Sequence, residues 1–172
     1  MQQLFLSGIH ASDLADRLVS ALNIRPAGYR LTTFTVGGGI RGEALHLLLP
    51  PAAPMDNDVP CRIRLRDGDW TIVPRVLEEI AAPNLLKALN AHTPILLSGL
   101  DARMLTCSAF REAVVTLLTS PRPVIVACAD DAEETLRALI PAEAQLWAPV
   151  PESSTGRAAL LEELIAEASM RL

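Results

Sequence analysis

Residues 2–22 read QQLFLSGIHASDLADRLVSAL, and the rest of the chain is organised around this stretch. A short apolar run, Leu4-Phe5-Leu6, meets Ser7-Gly8 and a polar bend, after which Leu14, Leu18 and Leu22 recur four residues apart. A brief apolar run, a glycine-containing break and a four-residue apolar period together predict a strand, a turn and an amphipathic helix. Such a junction attracts anions, because the first turn of a helix presents unpaired N–H groups and a partial positive charge.

The phosphate-binding signature for this position is Gly, four residues, then Gly-Lys-Ser/Thr. Its glycines let the backbone wrap the phosphates, its lysine reaches the β/γ-phosphates and its hydroxyl holds magnesium. Counting from Gly8 gives Ile9, His10, Ala11 and Ser12, then Asp13, Leu14 and Ala15 where Gly, Lys and Ser/Thr should stand. All three chemical parts are absent. Ser12 or Asp13 is placed to cap the helix, and Asp13 and Asp16 add negative charge where a triphosphate would lie. Gly8, His10, Ser12 and Asp13 therefore mark a degenerate phosphate-loop position, read as an ordinary capped helix after a strand. The alternative is a loop that still cradles phosphate through its backbone alone.

The length of 172 residues suits one domain, 1–172, with a substantial core. Half of the residues are hydrophobic but only 3% are aromatic, so the core must be aliphatic, as in a helix-covered parallel sheet. No apolar run approaches the length of a membrane span, and the N-terminus lacks a signal-peptide pattern, so a cytoplasmic protein without membrane contact is expected. A net charge of −5 argues against a nucleic-acid surface. Arg62, Arg64 and Arg66 alternate along an expected strand and share a face, read as solvated, with anion or nucleotide contact as the alternative. Cys61, Cys107 and Cys128 are odd in number and include no C-x-x-C, which predicts reduced thiols and no metal site.

Along the chain, Tyr29–Val36 and Ala44–Leu49 flank the glycine cluster 37–42 and predict a hairpin, the cluster being a flexible turn because a strand rather than a helix follows it. Pro50–Pro60 is a proline-rich acidic loop, and Cys61–Arg66 and Trp70–Val73 flank the turn signal Asp67-Gly68-Asp69. A helical pattern from Pro74 is interrupted near Pro83. Thr93–Gly99 is an apolar strand, Ser108–Thr119 a helix, Arg122–Ala129 a buried strand, Asp130–Leu139 an acidic helix, Ala144–Ala148 a short strand, and a closing helix runs from Ser153 or Thr155 to Leu172. Alternating strands and helices predict an α/β domain with a mainly parallel sheet, and the hairpins at about 29–73 form an insertion at one edge.

The order of these pieces resembles the small P-loop nucleoside-triphosphatases first named for thermophile enzymes, relatives of the P-loop kinases. Gly28-Tyr29-Arg30-Leu31-Thr32 stands where that family has Gly-aromatic-x-Thr. Pro94–Leu105 stands for its Walker B region, Phe110-Arg111 for its Phe-Arg pair, and Pro151-Glu152 for the Pro-Glu before the last helix. The resemblance implies a three-layer fold, mainly parallel sheet flanked by helices with a β-hairpin insertion, and magnesium with ATP or GTP as cofactor where the site is intact. Where the family has Asp-Glu to hold magnesium and orient water, this chain has Ser98-Gly99, with Asp101 two positions further on. Asp101 is read as a solvent-facing loop carboxylate, with a displaced ligand as the alternative. Ser98 and Asp101 thus mark a degenerate Walker B position.

Phosphoryl transfer depends on charge neutralisation by lysine and metal, so losing both implies almost no turnover. His10, His46 and His92 lack zinc-helix spacing, and no G-x-S-x-G elbow is present. Cys107 precedes a helix, where a thiol can be activated; the acids Asp130–Glu134 lie at a helix start, where they stabilise it. The expected function is a binding or regulatory module without a cofactor, its partner an unidentified protein or a second copy of the chain. The alternative is residual nucleotide binding in which Arg17, Arg103 or Arg111 replaces the lysine.

Overall fold

Strand β1 (Gln3–Ser7) and helix α1 (Ala11–Ala21) form as the opening stretch dictates: Leu14 and Leu18 are buried, Asp13 and Arg17 exposed. The computed structural model describes residues 3–36, 38, 40–48, 58–64 and 68–171. After α1 come β2 (Ala27–Val36), β3 (Ile40–Leu48), β4 (Asp58–Arg64) and β5 (Trp70–Ile72). A helical run follows, made of α2 (Pro74–Val76), a π turn (Leu77–Ala81), α3 (Ala82–Leu86) and a 3-10 turn (Lys87–Asn90). The chain continues through β6 (Ile95–Leu100), α4 (Ser108–Leu118), β7 (Val124–Cys128), α5 (Glu133–Leu139), β8 (Gln145–Pro149) and α6 (Ser154–Arg171).

The eight strands form one sheet in the order β5-β4-β3-β2-β6-β7-β1-β8. From β2 to β8 every pairing is parallel, and from β2 to β5 every pairing is antiparallel. The expected hairpin insertion therefore prolongs the same sheet, and its first strand, β2, belongs equally to the parallel part through its pairing with β6. One face carries the larger aliphatic core under α3, α4 and α5, with Leu85, Phe110, Val114 and Leu136 buried; the other is covered by α1 and α6 through Leu14, Leu18 and Leu164. This is the three-layer α/β arrangement that the sequence predicts.

Four local features differ from the expectation or lie beyond it. The expected interruption near Pro83 is a π turn at Leu77–Ala81 that divides the run into two short helices, and Pro83 sits in the first turn of α3 where its missing N–H is harmless. Gly42 lies within β3 rather than in a turn, and the ring of Phe34 covers it: a Cβ there would stand 2.1 Å from Phe34 Cζ. Pro60 lies within β4 and pairs with Ala44 beside a register shift at Glu43/Ala44, where the bulge tolerates a residue without an N–H. Leu49 at the end of the expected second hairpin strand, residues 50–57 of the proline-rich loop, residues 65–67, and Gly37 and Gly39 of the glycine cluster lie outside the described residues. Among the described residues no helix is long and apolar enough to cross a membrane.

Candidate functional site

Four strands end level at one side of the sheet. Ser7 of β1 pairs with Cys128 of β7 and Pro149 of β8, and Leu100 of β6 pairs with Cys128. The connections that leave these ends form the crevice where open parallel sheets bind ligands. It contains both sequence-predicted positions, the turn after β1 and the end of β6.

At the first position Gly8 adopts φ +116, a conformation that glycine alone takes cheaply. Its N–H donates to Cys128 O at 3.1 Å, and its own carbonyl accepts from Ala11 N at 3.1 Å, so helix starts at Ala11. This early start changes what residues 13–15 can do. Leu14 and Ala15 are 0% exposed and pack in the core beneath the sheet, so a lysine or hydroxyl at these numbers would not face the turn. The cap expected from Ser12 or Asp13 does not form: both lie inside the first turn, His10 takes the cap position, and no side chain bonds the helix start. The turn is therefore open to solvent on its helix side, with Ile9 80% exposed at its tip.

The surroundings of Gly8 oppose an anion. A Cβ built at Gly8 would lie 3.5 Å from Val150 O and 3.9 Å from Asp130 Oδ1, so acceptor oxygens line the turn. Like charges about 4 Å apart cost about 1 kcal/mol in water and about 4 kcal/mol near a protein surface. Among the described residues, none of Arg17, Arg103 and Arg111 bonds to this turn. Arg17 and Arg111 are exposed, and Arg103 donates to Trp70 O. Arg157, at the start of α6, spends its guanidinium on the carbonyls of Pro151 and Glu152.

The end of β6 is built differently. Ser98 is 1% exposed and sits opposite Ala127. Gly99 then bulges out of register with φ +93, and a Cβ there would stand 2.3 Å from Leu31 Cδ1. The place of the second carboxylate is thus filled by a leucine from β2. Asp101, read from sequence as solvent-facing, is 9% exposed. One of its oxygens accepts from Met104 N at 2.8 Å; the other accepts from Arg62, whose Nε also donates to Glu43. Arg62 accordingly leaves the solvated face assigned to it, whereas Arg64 stays exposed and donates to Gly68 O at 2.9 Å. Burial alone would weaken the Arg62 cation, but Asp101 and Glu43 outweigh it and hold the guanidinium charged. Glu43 was not singled out in the sequence, because only the β3–β4 register brings it to Arg62.

Other chemistries find no support in the geometry. All three cysteines are buried and free. Burial pushes Cys61 and Cys128 up to about 12, and burial with the Glu78 carboxylate raises Cys107, the reverse of an activated thiol. Glu78, from the π turn, instead accepts from Ser108 N at 3.1 Å and secures the start of α4. His46 pairs with Asp58 at 2.8 Å and His92 meets Arg122 at 3.3 Å, far apart in sequence and both exposed. Of the acidic quartet, Asp131 accepts from Ala102 N and Glu133 pairs with Arg137, tying the β6 and β7 ends together and closing the first turn of α5. Among the described residues no three His, Cys, Asp or Glu side chains are arranged to hold a metal ion. Tyr29 and Phe110 pack ring to ring with centroids 6.3 Å apart, a core contact.

No protein-family model matches this chain, and no curated protein matches its sequence. Among solved structures, the crystal structure of THEP1 from the hyperthermophile Aquifex aeolicus is similar, with a TM-score of 0.65 and 14% sequence identity over 96% of this chain and 98% of that one. An overlay of that extent at so low an identity speaks for architecture, and it agrees with the sheet order and the level strand ends: the chain has a P-loop NTPase-like fold.

Proposed function

We propose that this chain is a degenerate P-loop NTPase-like protein that does not hydrolyse nucleoside triphosphates and serves as a binding or regulatory module. The observation that carries the reading is the early start of α1, which buries Leu14 and Ala15 and leaves the turn at Gly8 bordered by Val150 O and Asp130. A triphosphate there would meet no lysine and one carboxylate. Magnesium fits no better, since Asp101 is already bonded to Arg62 and Met104 N, and Gly99 has no room for a carboxylate. Lysine and metal each contribute several powers of ten to phosphoryl transfer, so their joint loss removes the activity. A protein partner or a second copy of the chain then becomes the natural ligand class.

One observation favours a weaker second reading, nucleotide binding without turnover: the start of α1 has no side-chain cap, so no side chain competes for its first-turn N–H groups. Thermal unfolding with and without millimolar ATP or GTP and magnesium, paired with a phosphate-release assay, separates the readings, because a ligand that binds only the folded state raises Tm. No rise and no release is the expected result. A rise without release would establish the second reading, and release that disappears in D101N would overturn both.

A further inference from the structure

The antiparallel part of the sheet is packed on one face only. On the face under α3 and α4, Tyr29 of β2 and Leu45 of β3 are 0% exposed. On the opposite face the core beneath α1 and α6 extends to Leu96 of β6, and among the described residues of β2 to β5 only the half-buried Leu48 joins it. Two cross-strand rows cross this open face. Arg30, His46 and Asp58 are register partners over β2, β3 and β4, and so are Phe34, Gly42 and Ile63. Paired residues share a face, and the contacts agree: His46 Nδ1 lies 2.8 Å from Asp58 Oδ1, and the Phe34 ring covers Gly42. The three polar side chains are 37–51% exposed and Ile63 39%. Arg30 makes no hydrogen bond among the described residues: its ion pair with Asp16 stands at 3.7 Å, and its Nε is shielded from water without a partner. Shielded donors are seldom left so. Asp58 accepts from His46 and Thr32 through Oδ1 alone, which leaves Oδ2 to offer.

We infer that this open face pairs with the same face of a second copy of the chain, about a two-fold axis that runs along β3 above His46 and Gly42. Rotation about that axis lays each row reversed upon itself. Arg30 of one protomer then stands over Asp58 of its partner, and Phe34 over Ile63, each contact occurring twice as an isologous interface requires. Strand β2 lies over the partner's β4 in aligned sheet-on-sheet packing, the two sheets about 10 Å apart. An axis across the strands would instead set Arg30 on Arg30 and Asp58 on Asp58, so charge selects the first arrangement. The pairing gives the open face the second layer that a half-packed sheet lacks. This inference rests on the proposed role as a binding module and names its partner. Phosphate release by wild type would overturn that role and leave the pairing untouched.

Sedimentation velocity of the purified full chain over a range of concentrations tests the pairing. A face of three short strands lies at the low end of interface size, so wild type should pass from monomer to dimer with a Kd of about 10⁻⁵ M. R30D and D58R should each raise that Kd at least about tenfold, because each sets like charges together at both symmetric contacts. An equimolar mixture of the two should dimerise as wild type does, since every contact in the mixed dimer joins opposite charges. A purely structural role for either residue would not give recovery on mixing. Should R30D or D58R fail to fold by circular dichroism, I63K reads the same face from an exposed side chain; it should keep the Tm of the monomer and weaken the dimer at least about tenfold. Wild type that stays monomeric throughout overturns the inference. So does a dimer that the folded variants leave intact, or a mixture of folded R30D and D58R that does not recover.

Discussion

The turn after β1 and the end of β6 flank the end of β7 at one side of the sheet, and they are built in different ways. At the turn the backbone decides: α1 starts at Ala11, and Leu14 and Ala15 are carried into the core. At the end of β6 the strand bulges at Gly99 and neighbouring side chains fill the space, Leu31 over Gly99 and Arg62 on Asp101. The first arrangement is out of reach of side-chain replacement. The second is a matter of side chains, and single substitutions can probe it.

The largest effect should therefore come from trying to restore the turn. L14K places an ammonium in a site that is 0% exposed, among Leu6, Leu18 and Ile125. It should cost about 4 kcal/mol or more, because an unpaired charge is being buried. For a chain of this size that is a fall in Tm of roughly 10 °C, measurable by differential scanning calorimetry. If L14K instead folds with unchanged Tm and gains nucleotide binding, position 14 faces the turn and the contrast between the two regions is broken.

G99A tests the second region. Its Cβ would meet Leu31 at 2.3 Å in a backbone conformation with φ +93, and the combined clash and strain should cost about 2–3 kcal/mol. The double variant L31A/G99A should show coupling of about 1 kcal/mol, because removing Leu31 relieves the clash but leaves the backbone strain. Additive costs in chemical denaturation would mean that Leu31 does not fill the carboxylate position.

Each region also holds one buried thiol, and the alkaline limb of stability reports on both. Cys128 donates to Leu6 O beside the turn, and Cys61 donates to Glu43 O beside Arg62. Burial raises each from 9.0 to about 12. The folded state therefore keeps protons that the unfolded chain releases, so this contribution is whole below pH 9 and lost as pH rises toward 12. Stability should fall by about 1.4 kcal/mol per pH unit for each thiol across that window. C61A and C128A should each flatten the slope, and a slope unchanged in both would show that neither thiol stays protonated in the fold.

The parts of this molecule that were legible in sequence are those encoded by local period. Most strands and helices follow from apolar spacing and Gly/Pro punctuation, the π turn and the first residues of β3 and β4 excepted, and the alternation of strand and helix gives the parallel part of the sheet. The features that decide the crevice are not local. Asp101 was read as exposed because its partner Arg62 lies on a strand three places away in the sheet order, past β2 and β3. The leucine over Gly99 arrives from β2, and no pattern around residue 99 announces it. The cap was misplaced for a related reason. Ser12 and Asp13 are good N-cap residues by type, but the Gly8 carbonyl captured Ala11 N and started the helix before them.

That misplaced cap gives the mildest and most direct comparison of the two regions. Helix α1 follows the turn and has no side-chain cap, whereas α4 follows β6 and receives Glu78 from the π turn at Ser108 N and, at 3.3 Å, Ser108 Oγ. Removing an acceptor from a helix start costs about 1 kcal/mol when it was bonded there and close to nothing when it was not. E78A should therefore lower stability by about 1 kcal/mol in urea denaturation, and S12A by less than about 0.5 kcal/mol. The asymmetry has a cause in what each helix start is left to do. A bonded, partly covered start such as that of α4 is committed to holding the fold, while the start of α1 is held by backbone bonds alone, Ala11 N to Gly8 O and Leu14 N to His10 O. If S12A costs as much as E78A, Ser12 caps α1 after all, the two helix starts are equally closed, and the turn after β1 has no free donors to offer any ligand.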